Sequence, residues 1–83
     1  MTADNLSEIC RAALSKERYV KLVHRGVERD VYPYRIRDGR LYCYCTIHPD
    51  RDVESMWLTN ISSAWVSENE LGMIFNFDSD FAS

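Results

Sequence analysis

The first apolar residues of the chain recur every three or four positions, at Leu6, Ile9, Cys10, Ala13 and Leu14. This spacing places them on one face of a helix. Asn5 is suited to accept hydrogen bonds at the N-cap, and Glu8 follows three residues later to complete a capping box. The pattern predicts a short helix over residues 6–15 that is too short to be stable alone and covers a sheet.

After Lys16 the pattern changes to short segments rich in β-branched and aromatic residues, separated by turn signals at 25–26, 38–39 and 48–50. These segments predict strands over residues 19–24, 28–37, 40–47, 53–59 and 61–67. Five short strands favour a small closed or nearly closed barrel, because closure removes exposed sheet edges. The remaining residues, 71–83, form an apolar and then acidic tail, whose last residues we expect to fray.

Asp38-Gly39 is the clearest local signal, because this dipeptide favours a two-residue type I′ hairpin turn. Such a turn fixes the pairing of the flanking strands. On the inward side it pairs Ile36 with Leu41, Tyr34 with Cys43 and Tyr32 with Cys45. On the outward side it pairs Arg37 with Arg40, Arg35 with Tyr42 and Pro33 with Tyr44.

The outward side is rich in arginine and tyrosine, and Arg35 is expected to lie over the Tyr42 ring as a cation–π pair. In the next strand, alternation turns Met56 and Leu58 inward and leaves Trp57 outward beside this face. Basic and aromatic strand surfaces hold single-stranded nucleic acid. The candidate ligand-binding residues are Arg35, Arg37, Arg40, Tyr42, Tyr44, Arg51 and Trp57. The alternative is a solvated outer face that keeps a small domain soluble.

Length and composition limit the class of protein. Eighty-three residues predict a single domain, and 46% apolar residues with a net charge of −3 exclude a disordered chain. No apolar run is long enough to span a bilayer, and the polar, acidic start differs from a signal peptide. We therefore expect a cytoplasmic protein that does not associate with membranes.

Charge is distributed unevenly along the chain. All ten Lys and Arg residues lie between Arg11 and Arg51, where five acids oppose them and leave about +5. From Asp52 onward there are six acids and no base. The overall acidity argues against a strong nonspecific DNA-binding protein, although a folded domain with this distribution can present one basic face.

The sequence gives little support for a metal site or for catalysis. Cys43-x-Cys45-x-x-His48 with His24 has the residue types of a zinc site, but its spacing fits none of the usual ligand pairs. Two core cysteines on one strand are the favoured interpretation, and their geometry is poorly suited to a mutual disulfide. Neither a nucleophile with a base nor a glycine-rich phosphate loop is recognisable, so we expect no enzyme and no cofactor.

Three segments together resemble the core of a WYL domain, a family named for a Trp-Tyr-Leu triplet. They are Arg29-Asp30-Val31-Tyr32-Pro33-Tyr34, then Gly39-Arg40-Leu41-Tyr42-Cys43-Tyr44-Cys45, and Arg51-Asp52-Val53-Glu54-Ser55-Met56-Trp57-Leu58-Thr59-Asn60-Ile61. The resemblance covers residues 19–66. It implies an Sm-like or SH3-like barrel that acts as the sensor of bacterial transcription regulators, including those of phage defence, with nucleic acids or nucleotides as ligands.

The chain departs from that family in two places. Leu41-Tyr42-Cys43 replaces the naming triplet and keeps its central tyrosine, while Glu54, Trp57 and Asn60 stand where the family carries arginines. No helix-turn-helix precedes the predicted barrel, so we expect a stand-alone module.

Two hypotheses follow. The first is a ligand-sensing, regulatory module that binds single-stranded nucleic acid or a nucleotide around Tyr42. The second is a protein-interaction or oligomerisation module that presents Trp57, Trp65 and the tyrosines to a regulator protein or a second copy. Acidic Glu54, Glu68 and Glu70 favour the second, since they would repel the phosphates of an anionic ligand near the same end.

Overall fold

In a computed structural model, which describes residues 1–45, 53–71 and 79–81, one helix precedes five strands. The elements are α1 (Ala3–Ser15), β1 (Arg18–His24), β2 (Val27–Arg37), β3 (Arg40–Cys45), β4 (Glu54–Trp57), a 3₁₀ helix (Leu58–Asn60) and β5 (Ile61–Glu70). The mostly β fold with an N-terminal helix is confirmed. Thr46 and Ile47, predicted to end the third strand, lie outside the described residues.

The helix begins earlier than predicted. Thr2 is the N-cap, and its hydroxyl accepts a hydrogen bond from the Asn5 amide at 3.3 Å. The prediction that Asn5 is the cap is therefore wrong: the helix begins almost one turn earlier, and the Asn5 amide is itself one of the first-turn donors that Thr2 satisfies.

The strands form one antiparallel sheet in the order β4-β3-β2-β1-β5. The edge strands β4 and β5 are consecutive in the chain, and only the 3₁₀ helix Leu58–Asn60 separates them. The predicted strand over 53–59 is therefore too long, because its last residues form this turn. Such a short connection brings one end of each edge together and requires a curled sheet, but no ladder joins β4 to β5 in the described residues. A closed barrel stays a prediction.

The core lies between the inward face of the sheet and α1, which contacts β1, β2 and β5. Met56 and Leu58 point inward as predicted. The fully buried side chains of this core include Leu6, Cys10, Val20, Leu22, Val31, Leu41 and Cys43. A second, smaller cluster contains Tyr19 and Tyr32. No helix in the described part of the chain is long and apolar enough to cross a bilayer.

The β2–β3 hairpin follows the predicted pairing only near its turn. Asp38 and Gly39 have φ angles of 53° and 75°, and Arg37, Ile36 and Arg35 pair with Arg40, Leu41 and Tyr42 as predicted. The register then shifts, so that Pro33 pairs with Cys43, Tyr32 with Tyr44 and Val31 with Cys45.

Tyr34 is the extra residue of this β-bulge, because Pro33 and Arg35 pair with the adjacent Cys43 and Tyr42. The predicted pairs of Tyr34 with Cys43, Tyr32 with Cys45 and Pro33 with Tyr44 are therefore wrong. Proline has no N–H for a central ladder and is tolerated there at a bulge. The bulge buries Pro33 completely beside Cys43 in place of Tyr34.

The tail residues 79–81 are docked on this bulge. The Ser79 hydroxyl donates to the Pro33 carbonyl at 2.7 Å, and the Asp80 amide donates to the Tyr34 carbonyl at 2.9 Å. Phe81 is only 7% exposed and belongs to the main core. A buried ring and backbone hydrogen bonds therefore hold residues 79–81, contrary to the expectation of fraying. Residues 82–83 lie outside the described residues, and for them fraying stays a prediction.

Candidate ligand-binding groove

Near the turn, the outward face of β2, β3 and β4 carries two rows of side chains, because residues paired across neighbouring strands share a face. One row contains Arg37, Arg40 and Trp57. The adjacent row contains Arg35 and Tyr42. The predicted arginine and tyrosine face therefore exists as a continuous surface at the turn end of the hairpin.

A groove of about 440 Å³ opens on this face. We call it the tyrosine–arginine groove, defined by Tyr34, Arg35, Arg37, Asp38, Tyr42, Tyr44 and Val53. Its size lies within the range of small-molecule sites, about 300–1,000 Å³.

Three tyrosines give the groove aromatic walls. The rings of Tyr34 and Tyr44 meet edge to face, with centroids 6.1 Å apart and planes at 89°. Tyr44 also lies 6.1 Å from Tyr32, whose ring is buried in the smaller cluster. Edge-to-face contact at this distance is favourable and fixes ring orientation. The rings of Tyr34 and Tyr44 therefore support each other, and Tyr44 is supported in turn by the buried ring of Tyr32.

Three lining residues, Tyr34, Asp38 and Val53, are not among the predicted site residues. Tyr34 is the one that simple alternation turned inward. The bulge moves it to the outward face beside Arg35. Pro33 is the signal that indicates this position, because proline inside a central strand favours a bulge.

Arg35 is held by contacts on two sides. Its Nη2 atom donates to the Tyr34 hydroxyl at 3.0 Å, and its guanidinium carbon lies 4.7 Å from the Tyr34 ring centroid. The predicted cation–π pair with Tyr42 is therefore wrong, because the bulge brings Tyr34 to the guanidinium instead. On the other side, Nε lies 3.7 Å from Oδ2 of Asp80.

Arg40 and Trp57 form a second feature of the face. The Arg40 guanidinium carbon lies 4.0 Å from the Trp57 ring centroid, a close cation–π contact, and Trp57 is 47% exposed as predicted. Neither residue lines the tyrosine–arginine groove. Arg37, in the same row, lies 3.7 Å from the carboxylate of Asp38, and both side chains are highly exposed.

Glu54 does not face the groove. It pairs with Cys43 and shares the inward side with Met56, near the rim of the core. Its carboxylate accepts a 2.7 Å hydrogen bond from Arg29. The acid that argued against anionic ligands therefore lies on the other side of the sheet and is paired with a cation there.

The structure thus brings six of the seven predicted residues to one face. Arg35, Arg37, Tyr42 and Tyr44 line the groove, and Arg40 with Trp57 lies beside it. Arg51 lies outside the described residues.

Other chemically active side chains lie apart from the groove. Burial, and then the nearby Cys43, raises the pKa of the Cys10 thiol to about 12, although Arg11 opposes the shift. Cys10 therefore stays protonated at neutral pH and is a poor nucleophile. In the described ranges, no group of three or more His, Cys, Asp or Glu side chains is placed to hold a metal ion; His48 lies outside them, as does the side chain of Cys45.

His24 ends β1, close to the β1–β2 turn. Burial, followed by the positive charges of Arg29 and Arg25, lowers the pKa of its imidazole below 6.5, while Glu54 acts in the opposite direction. This histidine is on a different hairpin from the groove.

Comparison with known proteins gives no match: no protein-family model, curated protein or solved structure is significantly similar to this chain.

Proposed function

We propose that this chain is a regulatory binding module of the WYL type that takes single-stranded nucleic acid or a nucleotide-like molecule at the tyrosine–arginine groove, without catalysis. The observation that carries the proposal is a single arginine, Arg35, oriented by Tyr34 at the wall of a groove built from three tyrosines. A fixed cation beside exposed aromatic rings suits a ligand that combines a phosphate with a flat base.

The two parts of such a ligand have separate partners in the groove. A guanidinium offers several donors in one plane and binds phosphate oxygens strongly. Tyrosine rings stack with any base, each stacked base contributing roughly 1–3 kcal/mol. Arg37 extends the positive charge towards the turn, where the Arg40–Trp57 pair offers a further planar surface.

The sheet order supports an Sm-like or SH3-like barrel as the finer description of the fold. Consecutive edge strands joined by a 3₁₀ turn, with a helix before the first strand, are what a barrel of this kind requires. This arrangement agrees with the WYL resemblance, and we include a cytoplasmic role in transcription or defence in the proposal on that resemblance alone.

A protein-interaction module is the second candidate, and one observation favours it. Trp57 and Trp65 are 47% and 41% exposed, on the two opposite edges of the sheet. Tryptophan is enriched at the centre of protein interfaces. In this alternative, Trp57 and Trp65 would contact a protein partner, and the groove would take no nucleic acid.

Binding of a short, fluorescently labelled oligothymidylate, followed by anisotropy at low and at physiological salt, tests the proposal. Affinity should fall steeply as salt rises, because phosphate binding releases counterions. Arg35→Ala should weaken binding and reduce the salt slope by about one unit for each phosphate that Arg35 neutralises. Tyr42→Ala should weaken binding at all salt concentrations, because stacking depends little on salt.

Matched variants outside the groove control for general effects. Arg11→Ala removes an exposed arginine from α1, and Trp65→Ala removes the exposed tryptophan that is not on the arginine face. Both should leave oligothymidylate affinity within about twofold, whereas Trp57→Ala should lower it. An absence of binding by the unmodified chain at low salt would overturn the proposal and favour the protein-interaction module.

A further inference from the structure

We infer that Asp80 is a built-in counter-ion of the groove, which competes with anionic ligands for Arg35 and sets their affinity. This inference rests on the proposed function, since it concerns the same groove. It assigns to the tail a role that neither its composition nor its position along the chain indicates.

The position of Asp80 is fixed by its backbone. Its amide donates to the Tyr34 carbonyl at 2.9 Å, and the residues on either side are anchored by the Ser79 hydroxyl bond to Pro33 and by the buried ring of Phe81. An anchored residue loses little further entropy when its side chain is held near a partner. The Asp80 carboxylate is therefore kept beside Arg35.

The contact between the two charges is incomplete. Nε of Arg35 lies 3.7 Å from the carboxylate, which is too far for a hydrogen bond, and within the described residues this buried atom has no hydrogen-bond partner. Asp80 is 64% exposed, so water partly solvates its carboxylate. A pair of this kind is weak, and a phosphate with shorter, charge-assisted bonds can replace the carboxylate.

The charges around the groove support the same conclusion. Arg35 and Arg37 carry two positive charges, and Asp80 and Asp38 lie 3.7 Å from them with two negative charges. These four charges balance, and Arg40 beside the groove adds one further positive charge. The docked tail therefore reduces the attraction of the groove for anions, and removing its carboxylate raises the net positive charge beside the aromatic walls.

The test compares Asp80→Asn with a charge-matched control, Glu68→Gln, an exposed acid of β5, which is separated from β2 by β1 in the sheet. Pyrophosphate is the probe, and its binding is followed from the NMR signals of the Arg35 side chain. Asp80→Asn should bind pyrophosphate about five to ten times more tightly than the unmodified chain at low salt, and the ratio should shrink towards one as salt is added. Glu68→Gln should change the affinity by less than about twofold.

Equal affinity of Asp80→Asn and the unmodified chain, an equal gain in Glu68→Gln, or no pyrophosphate binding to any of them would overturn the inference. A cooperative thermal unfolding transition shows that each variant is folded. If Asp80→Asn does not fold, Asp80→Ala replaces it as the test variant. The proposed function is judged separately, from oligothymidylate binding by the unmodified chain. If the unmodified chain binds oligothymidylate, and pyrophosphate affinity is the same in Asp80→Asn and the unmodified chain, the counter-ion role is refuted and the proposed function stands. If Asp80→Asn binds pyrophosphate more tightly but the unmodified chain does not bind oligothymidylate, the counter-ion role stands and the proposed function is refuted.

Discussion

The two ends of the β2–β3 hairpin are built by different means. At the turn end, Asp38 and Gly39 adopt positive φ angles and set the pairs of Arg37 with Arg40 and Arg35 with Tyr42. At the other end, a bulge at Tyr34 changes the register, and the tail residues 79–81 donate hydrogen bonds to the carbonyls of Pro33 and Tyr34 at the bulge. The groove lies between the two ends and takes residues from both.

This difference separates local from long-range determinants of the site. The turn end depends on two adjacent residues whose conformational preferences act without the rest of the chain. The bulge end depends on residues about 45 positions apart, joined by hydrogen bonds and one buried ring. Substitutions at the two ends should therefore have different effects on stability and on the groove.

The largest effect is expected at the bulge end. Phe81→Ala should lower the free energy of unfolding by about 2–3 kcal/mol. This loss is smaller than is usual for truncation of a buried phenylalanine, because the last residues can detach without unfolding the sheet. Chemical denaturation measures the change. Hydrogen exchange should show faster exchange of the Asp80 amide, with little change in the amides of Arg37 and Arg40.

Phe81→Leu is the control, since it keeps most of the apolar volume and should destabilise the fold less than Phe81→Ala. Uniformly faster hydrogen exchange throughout the β2–β3 hairpin of Phe81→Ala would contradict the conclusion that its two ends are stabilised independently. Such a result would show that the tail and the turn unfold together.

A smaller effect is expected at the turn end. Gly39→Val should destabilise the fold by more than about 1 kcal/mol, because a β-branched residue resists the φ of +75°. An added Cβ would lie 4.0 Å from the Trp57 ring, an ordinary contact, so the cost comes from the backbone. The melting temperature measures this destabilisation.

Gly26→Val provides a matched comparison. Gly26 has a φ of +78° in the β1–β2 turn, and nothing lies within 4 Å of an added Cβ. Both variants should be destabilised to a similar extent, but only Gly39→Val should disturb the chemical shifts of Arg35 and Tyr42. Equal disturbance of these groove signals by Gly26→Val would show that the Asp38-Gly39 turn does not set the groove.

The turn end of the hairpin could be predicted from the sequence and the bulge end could not, because only the turn is determined by residues adjacent in the chain. Asp38-Gly39 encodes its conformation locally, so the face of Arg35, Arg37 and Tyr42 followed from alternation. The shift at Tyr34 depends on what packs beside Pro33 and on the tail that binds the released carbonyls. Pro33 is a local indication of the bulge. The docking of Asp80 beside Arg35 has no such local signal, because the fold brings these two residues together from distant parts of the chain.

The helix and strands also have some features that the sequence predicts and others that it does not. Their existence followed from periodicity, whereas the cap at Thr2 and the 3₁₀ turn after Trp57 depended on competition between local alternatives. The inward position of Glu54 follows from the same alternation that turns Met56 inward, whereas the match to family positions alone suggested an acid near the ligand. Its partner Arg29 comes from a distant strand.

The smallest effect concerns the β1–β2 turn, which lies apart from both ends of the β2–β3 hairpin. Burial and the charges of Arg29 and Arg25 lower the pKa of His24 in the folded state below its unfolded value of 6.5. The unfolded chain therefore binds a proton more readily, and stability should fall as pH decreases from above 6.5 and level off below the folded pKa. His24→Gln should reduce this dependence, measured as the denaturation midpoint between about pH 5 and 7.5. The signals of Tyr34 and Arg35 should stay the same over that range, and movement of these signals with the His24 titration would show that the two hairpins are coupled.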